Sequence, residues 1–149
     1  MLTRGYTKIT VLDISEAAIL KAKERLGKDA EKVQWIVADV AHFQPTEHYD
    51  FWHDRAAFHF LTHEKDISNY VKTSYESLSP NGIMVVGTFS EQGPKKCSGI
   101  TIKQYSEESL FERFEGKFNK INCFVVNHTT PSSSIQNFVF CSFKKMTKD

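Results

Sequence analysis

Short apolar runs that alternate with amphipathic segments, and that end on a charged residue, constrain this chain more than any other feature. Lys8-Ile9-Thr10-Val11-Leu12-Asp13 is β-branched and mostly apolar, as suits a strand buried on both faces of a parallel sheet. Ser15 then offers an N-cap, Ala18, Ile19, Ala22 and Leu26 recur at helical spacing, and Gly27 is placed to end the helix. The pattern repeats. Val33 to Ala38 reads as a strand closed by Asp39, and Tyr49 to His53 as a third. Residues 65–78 carry Ile67, Tyr70, Val71, Ser74 and Leu78 at three- and four-residue steps, with turn chemistry at Ser79-Pro80-Asn81-Gly82. Ile83 to Phe89 follows as the most strand-like run.

Beyond Phe89 the alternation loosens. Ser90 to Ile102 lacks periodicity and is expected to be a long surface loop, of a length that is often functional. Ser106 to Phe114 reads as a short capped helix. Two strands, 118–127 and 135–143, are separated by Thr129-Thr130-Pro131-Ser132-Ser133-Ser134 and form a hairpin. The order predicts one α/β domain over residues 1–149, a mostly parallel sheet flanked by helices and closed by a C-terminal antiparallel hairpin.

Charge is nearly balanced, with 19 basic and 18 acidic residues, which leaves no strong field to hold a nucleic-acid backbone or an anionic membrane. No apolar run reaches membrane-spanning length, and no secretory pattern opens the chain, so a cytoplasmic location is expected. Cys97, Cys123 and Cys141 are odd in number and widely spaced, and are expected to be reduced thiols.

Open parallel sheets bind ligands beyond the carboxyl ends of their strands. Asp13 stands at the first such end, Asp39 at the second and His53-Asp54-Arg55 at the third. A carboxylate at Asp13 could accept two hydrogen bonds from a ribose diol, or could turn the chain into its helix. Asp39 could accept an adenine amine or close a local turn. His53, Asp54, His59 and His63 crowd together, but their spacing is not that of a helical metal motif, and no metal is expected. His59 is either a packed histidine or a group facing the substrate.

The succession ITVLDISEAAILKAKERL, VQWIVADVAHF, YDFWHDRAAFHFLT and LSPNGIMVVGTF resembles the class I S-adenosylmethionine-dependent methyltransferases over nearly the whole chain. WHDR followed by CSGI and YSEESL is also similar to their thiopurine methyltransferase and tellurite-resistance branch. The resemblance implies a Rossmann-like fold that binds S-adenosyl-L-methionine. It implies that Asp13 holds the ribose, Ile14 packs on the adenine, Asp39 and Val40 hold the adenine edge, and His53 borders the methionine part. Asp54 or His59 would then serve as base, and Arg55 would orient an anionic acceptor.

One departure from the family stands out. The first strand and the Gly-rich loop that open such domains have no counterpart here, and Met1 to Tyr6 reads as the tail of the helix that should follow them. Without that strand, Lys8–Asp13 and Ile83–Phe89 are expected to lack partners, leaving an edge along which two copies could pair.

The expected function is methyl transfer to a small molecule rather than to a protein. The alternative is a non-catalytic methyltransferase-like binding or scaffold module that has lost normal cofactor binding. A nicotinamide-dependent oxidoreductase would also use an acid at Asp13, but the terminal hairpin speaks against it.

Overall fold

A computed structural model describes every residue except Pro131, Lys148 and Asp149, so the proline expected in the last turn lies outside the described residues. The chain divides into two compact units, residues 1–43 and 44–149.

In the first unit, β1 (Ile9–Asp13) and β2 (Val33–Val37) pair in parallel, from Ile9 opposite Val33 to Asp13 opposite Val37. The helix α1 (Glu16–Leu26) crosses between them. Its start is set by Ser15, whose Oγ accepts the Ala18 N–H at 3.2 Å. Of its apolar stripe only Ile19 is buried. Gly27 takes φ 57° and turns the chain into a 3₁₀ segment, Gly27–Lys32. There the Ala30 carbonyl accepts the Trp35 indole N–H at 2.9 Å, which ties the turn to β2.

The second unit is built on a four-stranded sheet. Its strands are β3 (Tyr49–Arg55), β4 (Leu78–Phe89), β7 (Phe118–Thr129) and β8 (Ile135–Lys145), in the spatial order β3-β4-β8-β7. β3 and β4 are parallel, whereas β4–β8 and β7–β8 are antiparallel. The helices α2 (Glu64–Ser77) and α3 (Glu107–Glu112) supply the apolar cover. The α2 stripe Ile67, Tyr70, Val71 and Ser74 is buried as its spacing predicts. Phe114 sits among Phe58, Phe118 and Phe143, with ring centroids 5.3, 5.8 and 4.7 Å away.

The α/β alternation and the closing hairpin therefore form as expected, although the ladder is carried by separate sheets. Three expectations are corrected. Ile83–Phe89 does not lack partners, because β4 is paired on both sides; β1 and β2 pair only with each other, and β3 and β7 are the outer strands of the four-stranded sheet. Ser90–Ile102 is not featureless. Ser98 and Gly99, at φ 51° and 81°, turn a small hairpin of β5 (Lys96–Cys97) and β6 (Ile100–Thr101). Ile102 is buried against Phe89 and Phe138, and the Gln104 amide closes the segment by donating to the Gly93 carbonyl at 2.7 Å. Finally, Cys123 and Cys141 are joined as a disulfide across β7 and β8, and only Cys97 is a free thiol. Their direct register opposition is what brings the sulfurs together. The turn chemistry of Ser79–Gly82 is real but sits within β4 as an irregularity, between the Tyr49–Leu78 and Phe51–Ile83 pairs.

Gly87 in the middle of β4 has a packing reason. A Cβ there would fall inside the Phe140 ring on β8. Gly87→Ala should therefore lower the unfolding free energy by about 1–3 kcal/mol, the usual cost of overpacking. In a Phe140→Ala background urea titration should show a smaller cost for the same change.

Candidate functional site

The strand ends of the first unit carry Asp13, Ile14, Asp39 and Val40. Asp13 Oδ1 accepts the Ser15 N–H at 2.8 Å, while Oδ2 has no hydrogen-bond partner among the described residues. Its carbonyl accepts the Ala38 N–H at 3.1 Å, which holds the ends of β1 and β2 level. Ile14 is 70% exposed, an unusual position for an isoleucine between a strand and its helix. Asp39 is more committed. Its Oδ1 accepts the Ala41 N–H at 2.9 Å and its Oδ2 lies 3.3 Å from His42 Nδ1, so the carboxylate makes the local turn that its position also allowed. Val40 is half-buried.

The end of β3 in the second unit is organised by strand alternation. Trp52 and Asp54 face the helices, and His53 and Arg55 are exposed on the opposite face. The His53 ring lies 6.3 Å from that of Phe51, and the Arg55 guanidinium lies 5.3 Å from the centre of Phe138. The sequence grouped His53, Asp54 and Arg55 as neighbours; the strand sends the middle one inward.

Asp54 is 5% exposed, and both its oxygens are engaged. Oδ1 accepts the Ala57 and Phe58 N–H groups at 3.0 and 3.3 Å, and Oδ2 accepts the Tyr70 hydroxyl at 2.7 Å. The same hydroxyl accepts the Trp52 indole N–H at 3.1 Å. Burial pushes the Asp54 carboxyl above its ordinary range, opposed by those donors and by His53. Burial, reinforced by the Asp54 charge, pushes the Tyr70 hydroxyl well above its own. The sequence marks Tyr70 only as a core position. The available signal was that a tyrosine in a buried helical stripe needs a partner for its hydroxyl.

His59 is fully buried in the 3₁₀ turn Phe58–Phe60, between the rings of Phe60 and Phe89. Its Nδ1 accepts the Phe89 N–H at 3.4 Å, which places the proton on Nε2. That nitrogen has no partner among the described residues, and the same holds for Thr88 Oγ1 and Tyr105 Oη. Of the two readings of His59, the geometry is that of a packed histidine. His63 is the exposed residue before α2, and no group of three metal-ligand side chains occurs among the described residues. No helix among them is long and apolar enough to cross a membrane.

Residues 1–82 match the family model of the methyltransferase domain, and the chain belongs to that family. It is 33% identical over 86 residues to malonyl-[acyl-carrier protein] O-methyltransferase 1 of Ilyobacter polytropus, a match covering 58% of this chain and 31% of that protein. It is 30% identical over 109 residues to Nodulation protein S of Rhizobium fredii, covering 70% of this chain and 62% of that one. The chain thus spans about a third of the first relative's length. The crystal structure of the N-methyltransferase NodS from Bradyrhizobium japonicum, in complex with S-adenosylhomocysteine, shares the fold. Its TM-score is 0.73 at 14% identity, over 94% of this chain and 67% of that one.

Burial lowers the His59 pKa from 6.5 to about 4. Between those values the unfolded chain takes up a proton that the folded chain refuses, so stability is present above pH 6.5 and is lost as pH falls toward 4. The full effect is about 3 kcal/mol, reduced by Asp54, whose raised pKa acts in the opposite direction. Urea titrations from pH 7 to 4 should show stability falling in the wild type and a shallower slope in His59→Gln.

Proposed function

We propose that this chain forms part of an S-adenosylmethionine-dependent methyltransferase acting on a small molecule, and that residues 1–149 belong to one such domain. The observation that carries the reading is the end of β1. Asp13 spends one carboxylate oxygen on its own turn and leaves the other free, beside an isoleucine that is exposed to water. A ribose diol needs an acceptor-only group, and an adenine face needs a flat apolar contact; the two neighbouring residues supply both. Val40 and Asp39 would take the adenine edge, the amine sharing Asp39 Oδ2 with His42. His53 would border the methionine portion.

The cofactor supplies a methyl group already activated on a sulfonium. What remains for the protein is to hold the nucleoside, align the acceptor and keep water out. Arg55 is the side chain placed to meet an anionic acceptor, since it is exposed with its guanidinium over the Phe138 ring. His59, neutral and with its proton on the buried Nε2, is better suited to shaping the turn than to taking a proton from the acceptor. The Ilyobacter relative is an O-methyltransferase and the Bradyrhizobium structure an N-methyltransferase, and the same classes of nucleophile are proposed here. A cytoplasmic location belongs to this reading, as does pairing of two copies along an open sheet edge. β3 and β7 are the outer strands of the four-stranded sheet and offer such an edge.

Calorimetry with S-adenosylhomocysteine tests the proposal. The chain should bind it saturably, and Asp13→Ala should weaken the Kd by at least about tenfold, the loss expected for a charge-assisted hydrogen bond. A folded chain that does not bind would move the assignment to the non-catalytic binding module, and an Asp13→Ala variant that binds equally well would remove Asp13 from the site.

A further inference from the structure

The segment after β3 is held in a conformation its own sequence does not favour. Ala56 has φ 66°, a left-handed backbone for a residue with a Cβ, which costs on the order of 1 kcal/mol or more. Such a residue persists where its surroundings over-determine it, and here each neighbour is fixed. The Ala56 N–H donates to the Gly87 carbonyl at 2.8 Å, and those of Ala57 and Phe58 donate to Asp54. The His59 ring accepts from Phe89, and the His59 carbonyl accepts the Lys103 N–H at 2.8 Å.

The most expensive of these anchors is the carboxylate, because burying a charge is unfavourable unless it is fully hydrogen-bonded. Asp54 meets that condition through two backbone donors and Tyr70, which is itself fixed by Trp52. Tyr70 belongs to α2, so the carboxylate fastens the turn between Arg55 and His59 to the helix behind the sheet. With both oxygens engaged and the side chain buried facing the helices, Asp54 is withdrawn from the solvent side on which a substrate would arrive.

We propose that Asp54 and Tyr70 are positioning residues, not a catalytic base: together they hold the strained turn that presents Arg55 and places His59. The inference rests on the methyltransferase reading for its functional meaning, but its physical content is the hydrogen bonding of Asp54 and Tyr70 and stands without it. An amide acceptor in place of the carboxylate should keep the turn, because Asn can still accept from Ala57 and Phe58. Loss of the acceptor should release it.

The experiment uses the whole 149-residue chain as wild type, Asp54→Asn, Asp54→Ala and Tyr70→Phe. Amide hydrogen exchange and ¹H–¹⁵N spectra are recorded beside S-adenosylhomocysteine calorimetry. In Asp54→Ala, exchange at Ala57 and Phe58 should accelerate at least about tenfold more than at the β4 amides, and Asp54→Asn should restore the protection. Tyr70→Phe should shift the Trp52 indole N–H resonance and raise exchange at Ala57 and Phe58 to an intermediate rate. The Ala57 and Phe58 amide shifts should titrate with pH in the wild type and be flat in Asp54→Asn, a signature that a general loss of stability does not produce. The proposal is overturned if Asp54→Ala leaves protection at these amides unchanged, or if Asp54→Asn falls together with Asp54→Ala. If no form binds the ligand, the methyltransferase reading fails, and the positioning role is then decided by exchange and titration alone.

Discussion

Strand β4 carries the larger unit because both of its backbone edges are satisfied, by parallel β3 on one side and antiparallel β8 on the other. A strand paired on both sides and covered by helices must be apolar. Met84 and Val86 are accordingly fully buried, and even Thr88 is drawn in, its hydroxyl without a partner among the described residues. Two consequences follow from the same strand. Its carbonyl at Gly87 receives the Ala56 N–H, and its N–H at Phe89 reaches His59, so the end of β4 shapes the turn that leaves β3. Its lack of a side chain at Gly87 lets the Phe140 ring lie on the sheet, and Phe140 is the centre of an aromatic row with Phe124 and Phe138.

Much of this was legible in the residues. The α2 stripe from Ile67 to Ser74 declares its buried face through three- and four-residue spacing, and the β-branched runs declare the strands. What escaped was whatever depends on register. The disulfide is an example, since no local Cys spacing suggests it. Yet a hairpin folded about Ser132 brings together residues equidistant from that point, and Cys123 and Cys141 are such a pair. The small hairpin at Ser98-Gly99 is another. Its turn dipeptide was visible, but its strands are too short to show any alternation. The partners of Ile83–Phe89 are hidden for the same reason, because the return of β8 beside β4 is a matter of topology that no local pattern records.

At the site the sequence located the strand ends and not the directions of their side chains. Asp13, Asp39 and Asp54 all stand where an α/β sheet places its ligands, but they differ in what the fold leaves available. Asp13 keeps an oxygen free, Asp39 uses both in its own turn, and Asp54 is turned away from solvent altogether. Period-two alternation required that Asp54 and Arg55 face opposite ways. It could not say which faced the core, since Phe51 and Trp52 are large and aromatic on the two faces alike. The decision came from α2, where Tyr70 provides the hydroxyl that makes an inward carboxylate tolerable.

The fold thus leaves different groups available from residues that look equivalent in the chain: Asp13 keeps one oxygen without a partner among the described residues, Asp54 spends both on the backbone and Tyr70, and Arg55 is exposed. The decisive observation would be a residue-resolved map of ligand contact, from ¹H–¹⁵N spectra of the labelled chain titrated with S-adenosylhomocysteine. Saturable shifts centred on Asp13, Ile14 and Val40 would establish the nucleoside site at the end of β1. A titration that leaves these three unmoved while shifting signals elsewhere would refute it.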